Sequence, residues 1–223
     1  MDAFMDGRLR LIQSKSGYRF SIDAVFLAEF VSTKPGDTVV DLGTGCGIIL
    51  LLLLLTRRIR YAVGLEIQPD LADQARRNAL LNGLDGKMGV IIGDIRHPPL
   101  ARRKADVVVC NPPYRQKASG RINPDPQRAI ARHEIMASLD DILGAARTLL
   151  RARGRLAIIY PAERLTDLMV RMRGFDLEPK TLRIVYPALE SEAKLVLIEA
   201  SRGGRIGVKV LPPLMDQGDY SIT

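Results

Sequence analysis

The sequence predicts a doubly wound α/β fold, with a mostly parallel sheet closed at one edge by an antiparallel pair. Three observations carry this. Short apolar runs of strand length alternate with helix-length patterns along the chain. One of those runs, Val39-Val40-Asp41-Leu42, passes into a Gly-x-Gly-x-Gly turn and then an apolar helix, the hallmark of a strand–turn–helix unit. The last two runs, 182–186 and 194–200, lie close enough in sequence to pair as a hairpin.

Thr38–Leu42 reads as the first strand of this sheet and residues 46–57 as its first helix. Tyr61–Glu66 is the second strand. Residues 70–81 are helical, with Leu71, Ala75 and Ala79 among the apolar positions, and Asn82-Gly83 stops them. Met88–Ile92 is the third strand and 106–110 the fourth. Residues 138–151 are helical, with Ser138 and Asp141 spaced as an N-terminal cap. Residues 155–160 form the fifth strand, 162–172 a further helix, and 208–211 a short strand before an irregular tail. Residues 37–200 then make one domain, 1–36 a flank, and 201–223 a tail packed on the same domain.

A chain of 223 residues with 47% hydrophobic content supports one ordinary core. The longest apolar run, 48–55, is too short to span a bilayer, and the first residues lack a charged-then-apolar leader pattern. A cytoplasmic protein without membrane contact is expected. Cys46 and Cys110 make neither a disulfide framework nor a zinc set, and His97 with His133 gives no ligand spacing, so no metal is expected. Both cysteines read as small apolar residues.

Lys and Arg number 33 against 25 Asp and Glu, a formal charge of +8. That balance suits a polyanionic partner, or solubility alone. Arg57, Arg58 and Arg60, and Arg102, Arg103 and Lys104, fall at the sheet edge away from the glycine turn and read as solvated surface. Arg115, Lys117, Arg121, Arg128 and Arg132 instead follow the motif below, in a segment whose 115–126 part is rich in Gly, Pro, Asn and Ser.

That motif is Asn111-Pro112-Pro113-Tyr114, directly after the run Ala105–Cys110. Two prolines fix two φ angles and push their predecessors into extended backbone. The Asn111 side-chain oxygen and the Pro112 carbonyl become two stiffly held acceptors, with the Tyr114 ring beside them. The arrangement suits a planar NH2 group on a ring. Upstream, Gly43, Gly45 and Gly47 allow close backbone approach by a ligand, although the third glycine comes one residue early for a dinucleotide fingerprint. Alone, the turn is equally a tight turn. Glu66 sits where a carboxylate accepts both hydroxyls of a ribose, or is an exposed acid before the next helix. Asp94 either bonds a ligand or caps its own turn. The turn, Glu66, Asp94 and Asn111 all fall at strand ends on the one edge where open α/β sheets bind ligands.

These motifs resemble the class I S-adenosylmethionine-dependent methyltransferases, with a Rossmann-like sheet. A closer likeness covers nearly the whole chain. Gly17-Tyr18-Arg19-Phe20-Ser21-Ile22-Asp23-Ala24-Val25, the Asp41 to Ile49 turn, Glu66-Ile67-Gln68-Pro69, Asn111-Pro112-Pro113-Tyr114, Ala129-Ile130-Ala131-Arg132-His133-Glu134 and Val210-Leu211-Pro212-Pro213-Leu214 occur in that order. Together they resemble the bacterial valine-tRNA adenine-N6 methyltransferases. The resemblance implies S-adenosylmethionine as cofactor, S-adenosylhomocysteine as product, and tRNA adenosine-37 as target. It implies that Phe20 and Asp23 cover the cofactor from a helix in residues 1–36. Gly43 and Gly45 then pass close to its methionine part, Asp41 orients the turn and its amino end, Glu66 holds its ribose and Asp94 bonds its adenine amine, with Thr44, Gly47, Ile67 and Ile95 also in the cofactor-binding set. Asn111, Pro112 and Tyr114 are the catalytic group, Asn111 also touching cofactor, and the five cations from Arg115 to Arg132 contact RNA. A monomer is the simpler oligomeric expectation. The nearest rival is a protein-glutamine N5 methyltransferase, which shares the motif. A non-catalytic RNA-binding, cofactor-sensing module is a rival of another class.

Overall fold

Every residue of Ala105–Cys110 is buried, and its side chains divide by parity. Val107 and Val109 enter one hydrophobic cluster, Val108 and Cys110 the other. A strand with two apolar faces belongs inside a sheet covered on both sides. The computed structural model, which describes residues 2–5, 7–13, 21–113 and 137–216, places it there.

In chain order the first elements are β1 (Asp2–Phe4), β2 (Leu9–Leu11), α1 (Ile22–Phe30), β3 (Thr38–Leu42), α2 (Ile48–Thr56), β4 (Tyr61–Glu66), α3 (Pro69–Leu81), β5 (Met88–Ile92) and β6 (Ala105–Cys110). After residue 137 come α4 (Leu139–Leu149), β7 (Leu150–Pro161), a short helical turn at Ala162–Arg164, α5 (Leu165–Gly174), β8 (Leu177–Tyr186), β9 (Leu195–Arg202), β10 (Lys209–Val210) and β11 (Leu214–Met215). Among the described residues, one sheet holds nine strands in the order β5-β4-β3-β6-β7-β9-β8-β10, with β11 also on β8. Strands β3 to β7 are parallel, and β9 runs antiparallel to both its neighbours. Residues of α1, α2 and α3 pack on one face and those of α4 and α5 on the other. The doubly wound sheet with an antiparallel closing strand is therefore present. Chain order reverses between β3 and β6, which opens a crevice at their carboxyl ends.

Local chemistry explains most boundaries. Ser138 caps α4 as expected: its hydroxyl accepts the Asp141 N–H at 3.2 Å, and the Asp141 carboxylate accepts the Ser138 N–H at 2.8 Å. Gly83, at φ +66, ends α3. Helix α2 begins at Ile48, not at 46, because Gly47 takes a left-handed φ of +86 and becomes the N-cap. Its residues 48–53 are all buried because α2 lies between the sheet and α1; a helix covered on all sides is apolar on all sides.

Four expectations need correction. Helix α4 ends at Leu149 and the chain passes directly into β7 at Leu150, five residues before the expected strand. The arginines of this stretch concealed it, and a register shift against β6 accommodates it. Strand β8 begins at Leu177 rather than 182, with a bulge around Pro179 that absorbs the missing donor. The expected strand over 208–211 contracts to Lys209–Val210. The tail, expected to be irregular, adds β11. The β1–β2 hairpin had no sequence signal, each strand being three residues long.

The amino-terminal edge of the strands is held by charge. Asp106 accepts the Thr38 N–H at 2.7 Å and pairs with Arg151, while Asp37 pairs with Arg155. Arg60 donates to the Thr38 hydroxyl there and Arg57 to the Glu29 carbonyl, structural contacts at exposed positions. No helix among the described residues is long and apolar enough to cross a membrane.

Candidate active site

The glycine turn is folded back over the end of β4. Gly43 and Thr44 both donate their N–H groups to the Leu65 carbonyl, at 2.9 and 3.1 Å. The positive φ angles of Gly43, Gly45 and Gly47 make this path available. The Thr44 hydroxyl donates to Asp41 Oδ2 at 2.8 Å. Room for Thr44 comes from Gly64, the residue paired with Asp41 across β3 and β4. A Cβ on Gly64 would stand 2.5 Å from Thr44 Cγ2. Glu66, at the end of β4, then locks the turn: Oε2 accepts the Gly45 N–H and Oε1 the Gln68 N–H, each at 2.9 Å. Each oxygen retains a further lone pair for a hydroxyl.

Asp41 is fully buried, and its Oδ1 has no hydrogen-bond partner among the described residues. Burial pushes its carboxyl up to about 7, the nearby Glu66 charge pushes the same way, and the Thr44 hydroxyl pulls down. A carboxyl raised from 3.8 to about 7 holds a proton in the folded chain that the unfolded chain has lost. Its contribution to stability is therefore complete below about pH 4 and is lost as pH rises through 7, at ~1.4 kcal/mol per pH unit. Asp41→Asn is expected to remove that slope, as read from denaturant unfolding between about pH 4 and pH 8. Burial likewise pushes the Cys46 thiol up to about 11 and the Cys110 thiol well above its usual value, so neither is a nucleophile. Cys110 donates to the Leu42 carbonyl at 3.2 Å, tying β6 to β3 beside the turn.

The other expected residues take these places. Ile67 follows Glu66 and is half-buried, and Ile95 approaches Gly43, its Cδ1 lying 4.0 Å from where a Cβ would stand. Asp94 sits at the same edge, half-buried. It accepts the Arg96 N–H at 2.8 Å in a tight turn, and the Arg96 guanidinium grips both its oxygens and holds its carboxyl below the usual range. Asp23 stands in the first turn of α1, half-buried. Asn111 follows β6. Asp41 pairs with Val109, and Gly43 and Asn111 each follow two residues later, past the carboxyl ends of the neighbouring strands β3 and β6. Asn111 is half-buried, Pro112 buried and Pro113 exposed. Phe20, Tyr114, Arg115, Lys117, Arg121, Arg128 and Arg132 lie outside the described residues.

Sequence reasoning missed three contributors. Gly64 carried a usable signal, since a lone glycine inside a strand marks a close approach. Tyr160 on β7 stands two residues past Ile158, the partner of Cys110, with the Arg164 guanidinium 5.2 Å from its ring centre. Asn78, fully buried on α3, reaches the turn through a contact described below. Among the described residues, no cluster of His, Cys, Asp and Glu is arranged to hold a metal ion.

A family model for a methyltransferase domain matches residues 33–200. A protein of Porphyromonas gingivalis (strain ATCC 33277), named tRNA1(Val) (adenine(37)-N6)-methyltransferase, is 32% identical over 206 residues, covering 89% of this chain and 80% of that one. The chain belongs to the tRNA1(Val) (adenine(37)-N6)-methyltransferase family. A like-named protein of Parabacteroides distasonis is 30% identical over 188 residues, covering 84% of this chain and 78% of its own length. The fold extends beyond the tRNA1(Val) (adenine(37)-N6)-methyltransferase family. A crystal structure of a predicted O-methyltransferase from Agrobacterium tumefaciens superposes with a TM-score of 0.71 at 19% identity, covering 90% of this chain and 91% of that one. A geranyl diphosphate methyltransferase in complex with SAM gives 0.59 at 16%, covering 80% and 84%. These two establish the class I methyltransferase fold alone. The family expected from the motifs is the one the relatives bear out. The readings as a protein-glutamine methyltransferase or a non-catalytic module gain nothing from them.

Proposed function

We propose that this chain transfers a methyl group from S-adenosylmethionine to the exocyclic N6 of adenosine-37 in a valine tRNA and releases S-adenosylhomocysteine. The observation that carries the reading is that Asn111 and the glycine turn follow the carboxyl ends of the adjacent parallel strands β6 and β3, in a member of this family. The residues suit the cofactor. Asp41 Oδ1 is a buried acceptor with no partner at the turn, suited to the cationic amino end, and Glu66 keeps acceptor capacity for a ribose. Asp94 and Ile95 flank its adenine, and Phe20 and Asp23 cover it.

S-adenosylmethionine supplies, when bound, a methyl group on a positively charged sulfur, electrophilic without a metal. The chain's part is to prepare the nucleophile. An adenine amine is nearly planar because its lone pair is shared with the ring. Asn111 Oδ1 and the Pro112 carbonyl accept its two N–H bonds, favour a pyramidal nitrogen, and stabilise the positive charge that develops there. Asp41, the glycine turn and Glu66 would hold the cofactor and Asn111 and Pro112 the amine, so that the nitrogen would take the methyl carbon as sulfur gives up its bond to it. The methylated nitrogen then releases a proton to water, so no prior base is required. Tyr114 stacks on the extruded base, a contribution of about 1–3 kcal/mol.

Incubation with total tRNA and methyl-labelled cofactor, followed by nucleoside analysis, is expected to yield labelled N6-methyladenosine in a valine tRNA. Label confined to protein glutamine would overturn the reading. The cations Arg115, Lys117, Arg121, Arg128 and Arg132 are proposed to neutralise tRNA phosphates beside the reacting base. Neutralising Arg121 and Arg128 together should weaken tRNA binding and flatten its salt dependence by roughly one unit of slope per lost phosphate contact. Unchanged slopes in salt titrations would remove these residues from the interface.

A further inference from the structure

Asn78 on α3 and Asn82, its C-cap one turn later, serve as substitute strand neighbours for β2 and the residue that follows it. Asn82 Oδ1 accepts the Arg10 N–H at 2.9 Å, and its Nδ2 donates to the Arg10 carbonyl at 2.8 Å. Asn78 repeats the pattern with Ile12, at 2.7 Å to its N–H and 3.2 Å to its carbonyl. The match is geometric: four helical residues rise about 6 Å and two strand residues about 6.6 Å. The opposite edge of β2 pairs with β1. The N-terminal arm is thus fastened to α3 by side-chain amides.

Asn78 does more than Asn82. Its Nδ2 also donates to the Cys46 carbonyl at 3.0 Å, the residue between Gly45 and Gly47. The side chain is fully buried, and both of its amide hydrogens and its oxygen are used. One rigid planar group therefore touches the arm on one side and the back of the glycine turn on the other. Aspartate in that place lacks the donors and leucine lacks donor and acceptor alike.

We propose that Asn78 is a positioning residue that couples the N-terminal arm to the cofactor turn, so that arm docking and binding of the S-adenosyl ligand strengthen each other. The proposal rests on the reading that the cofactor occupies the glycine turn. Coupling of this kind is reciprocal. A ligand that fixes the turn must slow opening of the arm, and loosening the arm contact must weaken the ligand.

The test compares hydrogen exchange at the Arg10 and Ile12 amides of the wild-type protein with and without saturating S-adenosylhomocysteine. Calorimetric binding and steady-state kinetics of Asn78→Ala, Asn78→Asp and Asn82→Ala accompany it. Ligand is expected to slow exchange at both amides. Both Asn78 variants should bind S-adenosylhomocysteine about tenfold more weakly, the effect of one lost buried hydrogen bond. Their KM for S-adenosylmethionine should rise in parallel, with kcat at saturation held within about twofold. Asn82→Ala, which keeps the Cys46 contact, should lose less than about threefold in affinity. Ligand that binds the wild type and leaves both amides unchanged overturns the coupling, and so does wild-type affinity in Asn78→Ala. Failure of the wild type to bind ligand at all would instead overturn the cofactor reading. If the variants do not fold, the wild-type exchange comparison decides alone.

Discussion

Asn111→Ala is expected to slow methyl transfer to tRNA by about 10²–10³-fold, the range for removing one preorganised polar group from a transition state. Asn111 stands just past the end of β6, as Gly43 stands just past the end of the neighbouring β3. Pro112 after it is buried and has no N–H to offer elsewhere. The backbone there is fixed before substrate arrives, so its acceptors need little reorganisation. Removing one acceptor leaves an amine N–H unbound and its lone pair committed to the ring. S-adenosylhomocysteine should still bind close to the wild-type level, because the Asp41–Thr44 and Glu66–Gly45 contacts that shape the turn do not involve Asn111. Single-turnover rates at saturating tRNA and cofactor, set beside calorimetric binding, separate the two effects. Near-normal turnover would remove Asn111 from the chemistry.

Glu66→Gln is expected to weaken S-adenosylhomocysteine binding by about 10²-fold. The wild-type carboxylate holds two backbone N–H groups, those of Gly45 and Gln68. A glutamine presents one oxygen and one NH2, so one of these two N–H groups must face a donor. Charge-assisted bonds of this kind are worth about 1.5–3 kcal/mol each, and an abandoned buried donor adds its desolvation penalty. The loss therefore reaches the ligand by two routes, a distorted turn and a missing acceptor for the ribose. Wild-type affinity in the calorimeter would show that neither route operates.

What was legible in the chain was what local chemistry writes. The Ser138–Asp141 cap, the Asn82-Gly83 stop and the turn from Asp41 to Gly47 all appear where their residues announced them. The convergence of the turn, Glu66 and Asn111 on one edge followed from the chain order of the strands. The missed features depend on partners distant in sequence. Nothing near Gly64 says that Thr44 will need its space, and nothing near Asn78 says that it will serve both Ile12 and Cys46. The early start of β7 was hidden because the exposed arginines at 151 and 153 look like a loop, and only Leu150, paired with Ala105 of β6, marks the stretch before Arg155 as strand.

The placement of β9 between β7 and β8 has a consequence for how the polypeptide matures. Synthesis delivers β7 and then β8, yet the seat beside β7 belongs to β9, which emerges last of the three. Until it arrives, the backbone N–H and C=O groups along that margin of β7 have no partner, and newly made β8 is the nearest wrong one. A ribosome stalled before Leu195 leaves that margin open to intruders, so the closing hairpin guards this chain against misassembly as well as completing its sheet.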